Sequence, residues 1–260
     1  MDEMLGVALD AARAAGELHL AGLGQVRHIR RKGHNDLVTD VDVASEQAIR
    51  SILLGAFPDH AIVGEESGGI LEDGLCWVVD PLDGTTNYAH GFPFFAVSIA
   101  LCRDRRPVLG VIHQATSGET FWATEGGGAF LNGQPIHVSE VPVPEEALVA
   151  TGFAPDVGLD PQNTREFLAA LAKVQAVRRP GSAALDLAAV ACGRFDAFWE
   201  YGLASWDVAA GALLVTEAGG TVTGVDGGTF GIAGRSILAT NGWLHDSFRK
   251  VLTERKGADR

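Results

Sequence analysis

Leu5, Ala8, Leu9, Ala12, Ala15 and Leu18 recur at three- and four-residue steps, so the chain opens with an amphipathic helix. A second helix starts where Thr39 and Asp42 are spaced as a capping box, carries Ile49, Ile52 and Leu53 on one face, and ends at Pro58. Between the two, Lys32-Gly33-His34-Asn35 reads as a basic, turn-rich loop leading to Asp36-Leu37-Val38-Thr39. The pattern then shortens. Ala61-Ile62-Val63 and Trp77-Val78-Val79 are β-branched, buried-type strands that run directly into carboxylates, and Pro81 is expected to end the second at Asp80. Alternation at 94–102 and 108–113 predicts paired strands across the polar turn 103–106. Residues 119–124 and 129–131 extend this as a meander, with Gly126-Gly127-Gly128 at a turn.

Two prolines within 140–145 mark the expected boundary between subdomains at about 1–140 and 141–260 of a single domain. Beyond it, helices are predicted at 164–173, 182–192, 205–218 and 243–254, and strands at 175–178, 195–199, 221–223 and 237–240. Helices alternating with strands in both halves imply a layered α/β or α+β sandwich.

Composition narrows the function classes. Of 260 residues, 33 are acidic and 20 basic, giving 20 − 33 = −13 at pH 7. Nucleic acid is thereby disfavoured as the main ligand, because neutralising its phosphates needs clustered Lys and Arg. With 47% hydrophobic and 20% charged residues, the chain has ample material for a core. Cys76, Cys102 and Cys192 are far apart, with no C-x-x-C spacing, so neither disulfides nor zinc are favoured. The acidic start Met1-Asp2-Glu3 is unlike a signal peptide, and no apolar run reaches the ~20 residues of a membrane span. A soluble, cytoplasmic protein is the expectation.

The acids are not scattered. In W-V-V-D-P-L-D-G-T-T-N at 77–87, Asp80 and Asp83 sit three residues apart on a turn with the Leu82 carbonyl between them. Hard cations such as Mg²⁺ take oxygen ligands of this kind, although an Asp at such a corner can also simply cap backbone groups. Glu65 and Glu66 follow the other short strand, Asp207 opens a helix at Ser205-Trp206-Asp207, and 36–42 adds further acids at a helix start. Capping or dipole compensation explains each of the last two alone. Four acidic turns, each at the end of an element, together point to a metal-dependent site. The spacing lacks the alternate ligands and terminal Glu of an EF-hand loop. No G-x-x-x-x-G-K-[ST], G-x-G-x-x-G or H-x-x-x-H pattern occurs, and Ser67, Ser182 and Ser205 lack a nucleophile-elbow context.

These segments resemble the inositol monophosphatase family, within the lithium-sensitive, magnesium-dependent phosphatases. The carrying stretches are G-E-E-S at 64–67, the 77–87 motif, and W-D at 206–207 followed by T-E-A-G-G at 216–220. The stretches at 36–42, 90–99 and 181–187 add to the likeness, which spans nearly the whole chain. Thr85-Thr86-Asn87 is similar to the inositol phosphatase branch, whereas the bisphosphate-nucleotide branch usually carries Thr-Lys-Glu there.

The resemblance implies an αβαβα layered α+β sandwich, a homodimer and up to three Mg²⁺ ions. Glu65, Asp80 and the Leu82 carbonyl would hold the first, and Asp80, Asp83 and Asp207 the second. Glu65 with waters would hold the third. Thr85, paired to Asp42, would orient and deprotonate the attacking water, with Glu66 ordering water nearby. Asp83, Gly84, Thr85 and Asp207 would contact the phosphate end. Gly181, Ser182, Ala183 and Glu200 would contact the alcohol, and Arg178 would face the substrate or an interface salt bridge. The implied reaction is hydrolysis of a small phosphorylated polyol, inositol monophosphate first. Histidinol phosphate, fructose bisphosphate, NADP or a bisphosphate nucleotide are alternatives on the same metal site. A regulatory binding protein of the transcription or ribosome-assembly machinery is the alternative from another class.

Overall fold

A computed structural model describes residues 1–25, 29–31, 37–153, 162–234 and 236–254. The loop expected at 32–35, and Asp36 with it, lie outside the described residues. In chain order the elements begin with α1 (Asp2–Gly22), β1 (Ile29–Arg31), β2 (Leu37–Thr39) and α2 (Asp40–Ala56). Next come β3 (Ala61–Gly64), β4 (Leu75–Asp83), α3 (Thr85–Ala89), β5 (Ala96–Arg103) and β6 (Arg106–Gln114). They continue with β7 (Glu119–Thr124), β8 (Gly128–Leu131), β9 (Gln134–Ile136), β10 (Leu148–Thr151), α4 (Gln162–Leu171) and β11 (Ala176–Arg178). The chain closes with α5 (Ala183–Ala191), β12 (Ala197–Tyr201), α6 (Ser205–Glu217), β13 (Thr221–Thr223), β14 (Ser236–Thr240) and α7 (His245–Thr253).

Five layers result. Strands β3 to β9 form a seven-stranded sheet in sequence order, with β3 parallel to β4 and every other pair antiparallel. Its outer face is covered by α1 and α2, whose Ala8, Ala11, Ala12, Ala15, Ile49 and Leu53 meet Trp77, Val79 and Ile99. Its inner face packs on α5 and α6, and these pack in turn on a five-stranded sheet ordered β11-β10-β12-β14-β13. Helices α4 and α7 close the far side of that sheet around Trp199, Leu238 and Phe248. The α+β sandwich of alternating layers expected from the sequence is therefore the observed fold. The middle layer is thin because it is made of small residues: a side-chain carbon at Gly110 would lie 2.9 Å from the Ala210 backbone. Among the described residues, no helix is long and apolar enough to cross a membrane.

Strand β4 does not stop at Asp80. It runs on to Asp83, with a shift of register against β5 between those two residues. Proline is excluded from a regular ladder because it has no N–H to donate, but a bulge leaves one residue unpaired and accommodates it. Helix α3 and strands β1, β2, β9 and β10 also lie beyond the sequence expectation. Each is only three to five residues long, too short for a periodicity to register.

Candidate active site

The bulge in β4 is what gathers the acids. It splays Asp80 and Asp83 at the end of a buried strand, and β3 lies parallel beside it with Gly64 opposite Val79. The Glu65 N–H donates to the Val79 carbonyl at 3.1 Å, which delivers the G-E-E-S turn next to Asp80. Behind the bulge, Leu82, Tyr88 and Phe95 form a small fully buried cluster. From the middle layer, α6 brings Asp207, whose Oδ2 accepts the Ala204 N–H at 2.6 Å. Helix α5 brings Ser182, whose hydroxyl donates to Asp83 Oδ2 at 2.5 Å, while the Ala184 N–H donates to the same oxygen at 2.7 Å.

These elements enclose one cleft of ≈ 670 Å³. Glu65, Asp80, Leu82, Asp83, Gly84 and Thr85 line it from the larger sheet and α3. Gly181, Ser182, Ala183, Glu200 and Asp207 line it from the opposite side. Gly84 has φ 93, and a side chain there would approach the Phe94 and Gly181 carbonyls at 3.0 and 3.2 Å, so only glycine suits this corner. Asp42 stands behind the wall: its Oδ1 is 3.0 Å from the Thr85 hydroxyl, which is equally 3.0 Å from the Leu82 carbonyl. The other Asp42 oxygen accepts from the Thr39 N–H and hydroxyl, completing the cap of α2. Arg178 does not line the cleft; its guanidinium donates to the Val177 carbonyl at 3.1 Å, and Arg179 lines the cleft instead. Glu66 is also outside the lining, and its N–H donates to Glu46.

Burial sets the electrostatics. Asp80 is only 2% exposed, and burial followed by the charges of Glu65, Asp83 and Asp207 pushes its carboxyl well above the usual range. Burial and the Asp83 charge push Asp207 up to about 8, and its carboxyl is hydrogen-bonded to that of Asp80. Burial raises Asp83 to about 6, held there by the hydrogen bonds from Ser182 and α5. Glu200 rises to about 8 through burial and the charges of Asp207 and Asp83, with Arg179 opposing. Two carboxyl groups in hydrogen-bond contact need a proton or a cation between them. The donor set is all oxygen, which suits a hard divalent ion such as Mg²⁺. Among the described residues no three His, Cys, Asp or Glu side chains already stand close enough together to hold an ion. The fit rests instead on this unbalanced negative charge along an open wall.

Three contributors escape the sequence patterns. Glu46 lies one turn after Asp42 on the buried side of α2 and accepts the Glu66 and Ser67 N–H groups at 2.8 and 3.0 Å. Its signal is the i, i+4 spacing of two acids on an otherwise apolar face. Gly64 is what admits it, since a side chain there would lie 2.5 Å from that carboxyl carbon. His19, fully buried in α1, contacts the Pro81 carbonyl at 2.9 Å. Asn87 donates to the Phe94 and Pro180 carbonyls at 2.7 and 2.9 Å, stitching α3 to the turn before α5. The T-E-A-G-G stretch acts structurally, because Glu217 accepts the N–H groups of Gly126 and Gly128 at 2.8 and 2.9 Å.

The profile of the Inositol monophosphatase family matches residues 1–256. "Inositol monophosphatase 2" of Solanum lycopersicum is 45% identical over 263 residues, covering 98% of this chain and 99% of that protein. "Nus factor SuhB" of Pseudomonas aeruginosa is 47% identical over 236 residues, 87% of each chain. Among solved structures, the inositol monophosphatase from Anabaena (Nostoc) sp. PCC 7120 superposes with a TM-score of 0.89 at 44% identity, covering 96% of this chain and 95% of that one.

Proposed function

This chain belongs to the inositol monophosphatase family of phosphatases, and on that premise we propose that it hydrolyses inositol monophosphate to inositol and phosphate with Mg²⁺ as cofactor. The observation that carries the reading is the cleft in which Asp80, Asp83, Asp207 and Glu65 share uncompensated charge beside the Thr85–Asp42 pair.

Glu65, Asp80, Asp83, Asp207 and the Leu82 carbonyl are the groups that would hold up to three Mg²⁺ ions. When bound, such ions supply the positive charge that offsets the phosphate dianion and the departing alkoxide, and they make water more acidic. This chain's own residues do the rest. The Thr85 hydroxyl has one proton to donate, and with Asp42 Oδ1 as its acceptor its lone pairs are turned to take a proton from water. Asp42 is the terminal base: burial raises its carboxyl above the usual range despite hydrogen bonds from Thr39 and Thr85, making it more basic than a surface carboxylate. Glu66 orders water near the metal-binding carboxylates. The Gly84 and Thr85 N–H groups cradle phosphate oxygens, and Gly181, Ser182, Ala183 and Glu200 meet the alcohol. Arg178 lies outside the cleft wall and is left to a salt bridge with a partner, and Arg179 stands beside the alcohol instead.

Phosphate release from inositol 1-phosphate, histidinol phosphate, fructose 1,6-bisphosphate and NADP, with and without Mg²⁺, tests this. Hydrolysis of inositol 1-phosphate fastest of the four supports the full reading; a different winner moves the substrate; release from none overturns it. Inhibition by Li⁺, a cytoplasmic location and a homodimer with no nucleic acid or membrane partner follow from the same reading. Sedimentation of a monomer would remove the dimer from it.

The likeness to Nus factor SuhB favours a second reading, a regulatory binding role in the transcription or ribosome machinery. Asp83→Asn should abolish hydrolysis and leave such binding intact. Loss of both would show that the two roles are not separable.

A further inference from the structure

Helix α5 carries an acid that the hydrolytic machinery does not use. Asp186 is 1% exposed, lines the cleft, and its Oδ1 has no hydrogen-bond partner among the described residues. An acid in the first turn of a helix ordinarily faces solvent or caps an N–H. Here the cap is already made, by the Ser182 hydroxyl accepting the Leu185 N–H at 3.3 Å. A buried carboxyl oxygen left unpaired is costly, and the cleft that Asp186 lines is where a partner reaches it.

The surroundings say what kind of partner. Asp186 follows Ser182 by one helical turn, about 5–6 Å on the same face, and Ser182 holds Asp83 at the phosphate end. From β12 the Glu200 carboxylate, 7% exposed, enters the same cleft over Gly152, where any side chain would collide with it. Each of the two carboxyls is pushed upward by burial, the Glu200 charge acts on Asp186, and Arg179 opposes both shifts. The carbonyl oxygen of a carboxyl accepts whether or not the group is ionised, so the complementary group is a donor. The Arg179 guanidinium already supplies positive charge here, which disfavours an ammonium and favours neutral O–H donors.

We propose that Asp186 adds a second acceptor beside Glu200 for the hydroxyls of the substrate alcohol. The inference rests on the phosphatase reading and extends it from the phosphate end to the alcohol end.

Asp186→Ala and the near-isosteric Asp186→Asn, in the full chain with Mg²⁺, supply the test. Losing a charge-assisted hydrogen bond should raise KM for inositol 1-phosphate roughly tenfold in Asp186→Ala and less in Asp186→Asn. Inorganic phosphate reaches only the Asp80–Asp83–Asp207 end, so its inhibition constant should stay within about twofold. An unchanged KM in both variants overturns the inference, and so does a parallel rise in the phosphate constant, which would mark a merely structural acid. An equal or larger effect on histidinol phosphate, which has no free alcohol hydroxyl, overturns the assignment of Asp186 to a hydroxyl. Should Asp186→Ala fail to fold, Asp186→Asn alone decides by the same two constants. A wild-type enzyme that releases no phosphate overturns the phosphatase reading and this inference together; an active one with unaltered KM in the variants overturns this inference alone.

Discussion

His19 Nε2 lies 2.9 Å from the Pro81 carbonyl oxygen, which ties helix α1 to the turn that presents Asp80, Leu82 and Asp83. A carbonyl only accepts, so Nε2 carries the proton. The Tyr88 hydroxyl donates to the His19 carbonyl at 2.9 Å, so α1 grips the turn and the short helix after it at one point.

That grip is acid-sensitive. Burial lowers His19 to about 4 from 6.5, so between those values the unfolded chain is protonated there and the folded chain is not. The contribution is full above the unfolded value and is lost as pH falls from about 6.5 to about 4, roughly 3 kcal/mol in all. His19→Gln keeps a donor that cannot titrate. The stability gap between wild type and this variant, from urea unfolding, should shift by about that amount between pH 7 and pH 4. A gap independent of pH would show that His19 is not held neutral.

Glu46 holds the G-E-E-S turn through two backbone hydrogen bonds to one carboxylate. Glu46→Ala should cost about 3 kcal/mol and raise the Mg²⁺ concentration needed for half-maximal activity, because Glu65 loses its support. Glu46→Gln, which keeps one acceptor, should fall between. Unfolding curves and Mg²⁺ titrations of phosphate release measure both effects.

Thr85→Ala removes the hydroxyl between Asp42 and the cleft. The expected loss is roughly 10²–10⁴-fold in kcat with little change in KM, and Thr85→Ser should recover most of it. Steady-state kinetics on the three proteins decide. A loss confined to KM would make Thr85 a binding group only.

Metal-free protein should respond to pH in the direction opposite to the His19 effect. Asp207 and Glu200 both titrate near about 8 when folded and near the ordinary carboxylate range when unfolded. Their contribution is present below about 4 and is lost as pH rises from about 4 through about 8. Thermal melts of the metal-free protein should therefore fall across that window, and saturating Mg²⁺ should flatten the fall. An identical slope with Mg²⁺ would mean that the ion does not meet Asp207.

The layered fold was legible because its helices are amphipathic or uniformly small and apolar, and its strands are short apolar runs punctuated by Gly and Pro. The acids stood out because Glu65 follows β3, Asp83 ends β4 and Asp207 lies in the first turn of α6, with Asp80 beside the proline that interrupts its strand. What stayed hidden acts at a distance or against local rules. Pro81 reads as a strand terminator, yet a bulge lets β4 pass through it. His19 and Glu46 read as stray polar positions on helices, since their partners lie 62, 20 and 21 residues away. Asp186 occupies the first turn of α5, where an acid ordinarily balances the helix dipole, and its burial and place in the cleft emerge only from the fold.

Phosphate release from inositol 1-phosphate, followed while Mg²⁺ is returned to metal-stripped wild type and to Asp80→Asn, tests the central claim most directly. The account predicts no release without metal, saturable activation of the wild type, and no activation of Asp80→Asn at any Mg²⁺ concentration that saturates the wild type. Metal-independent release, or an Asp80→Asn enzyme that activates like the wild type, would contradict it.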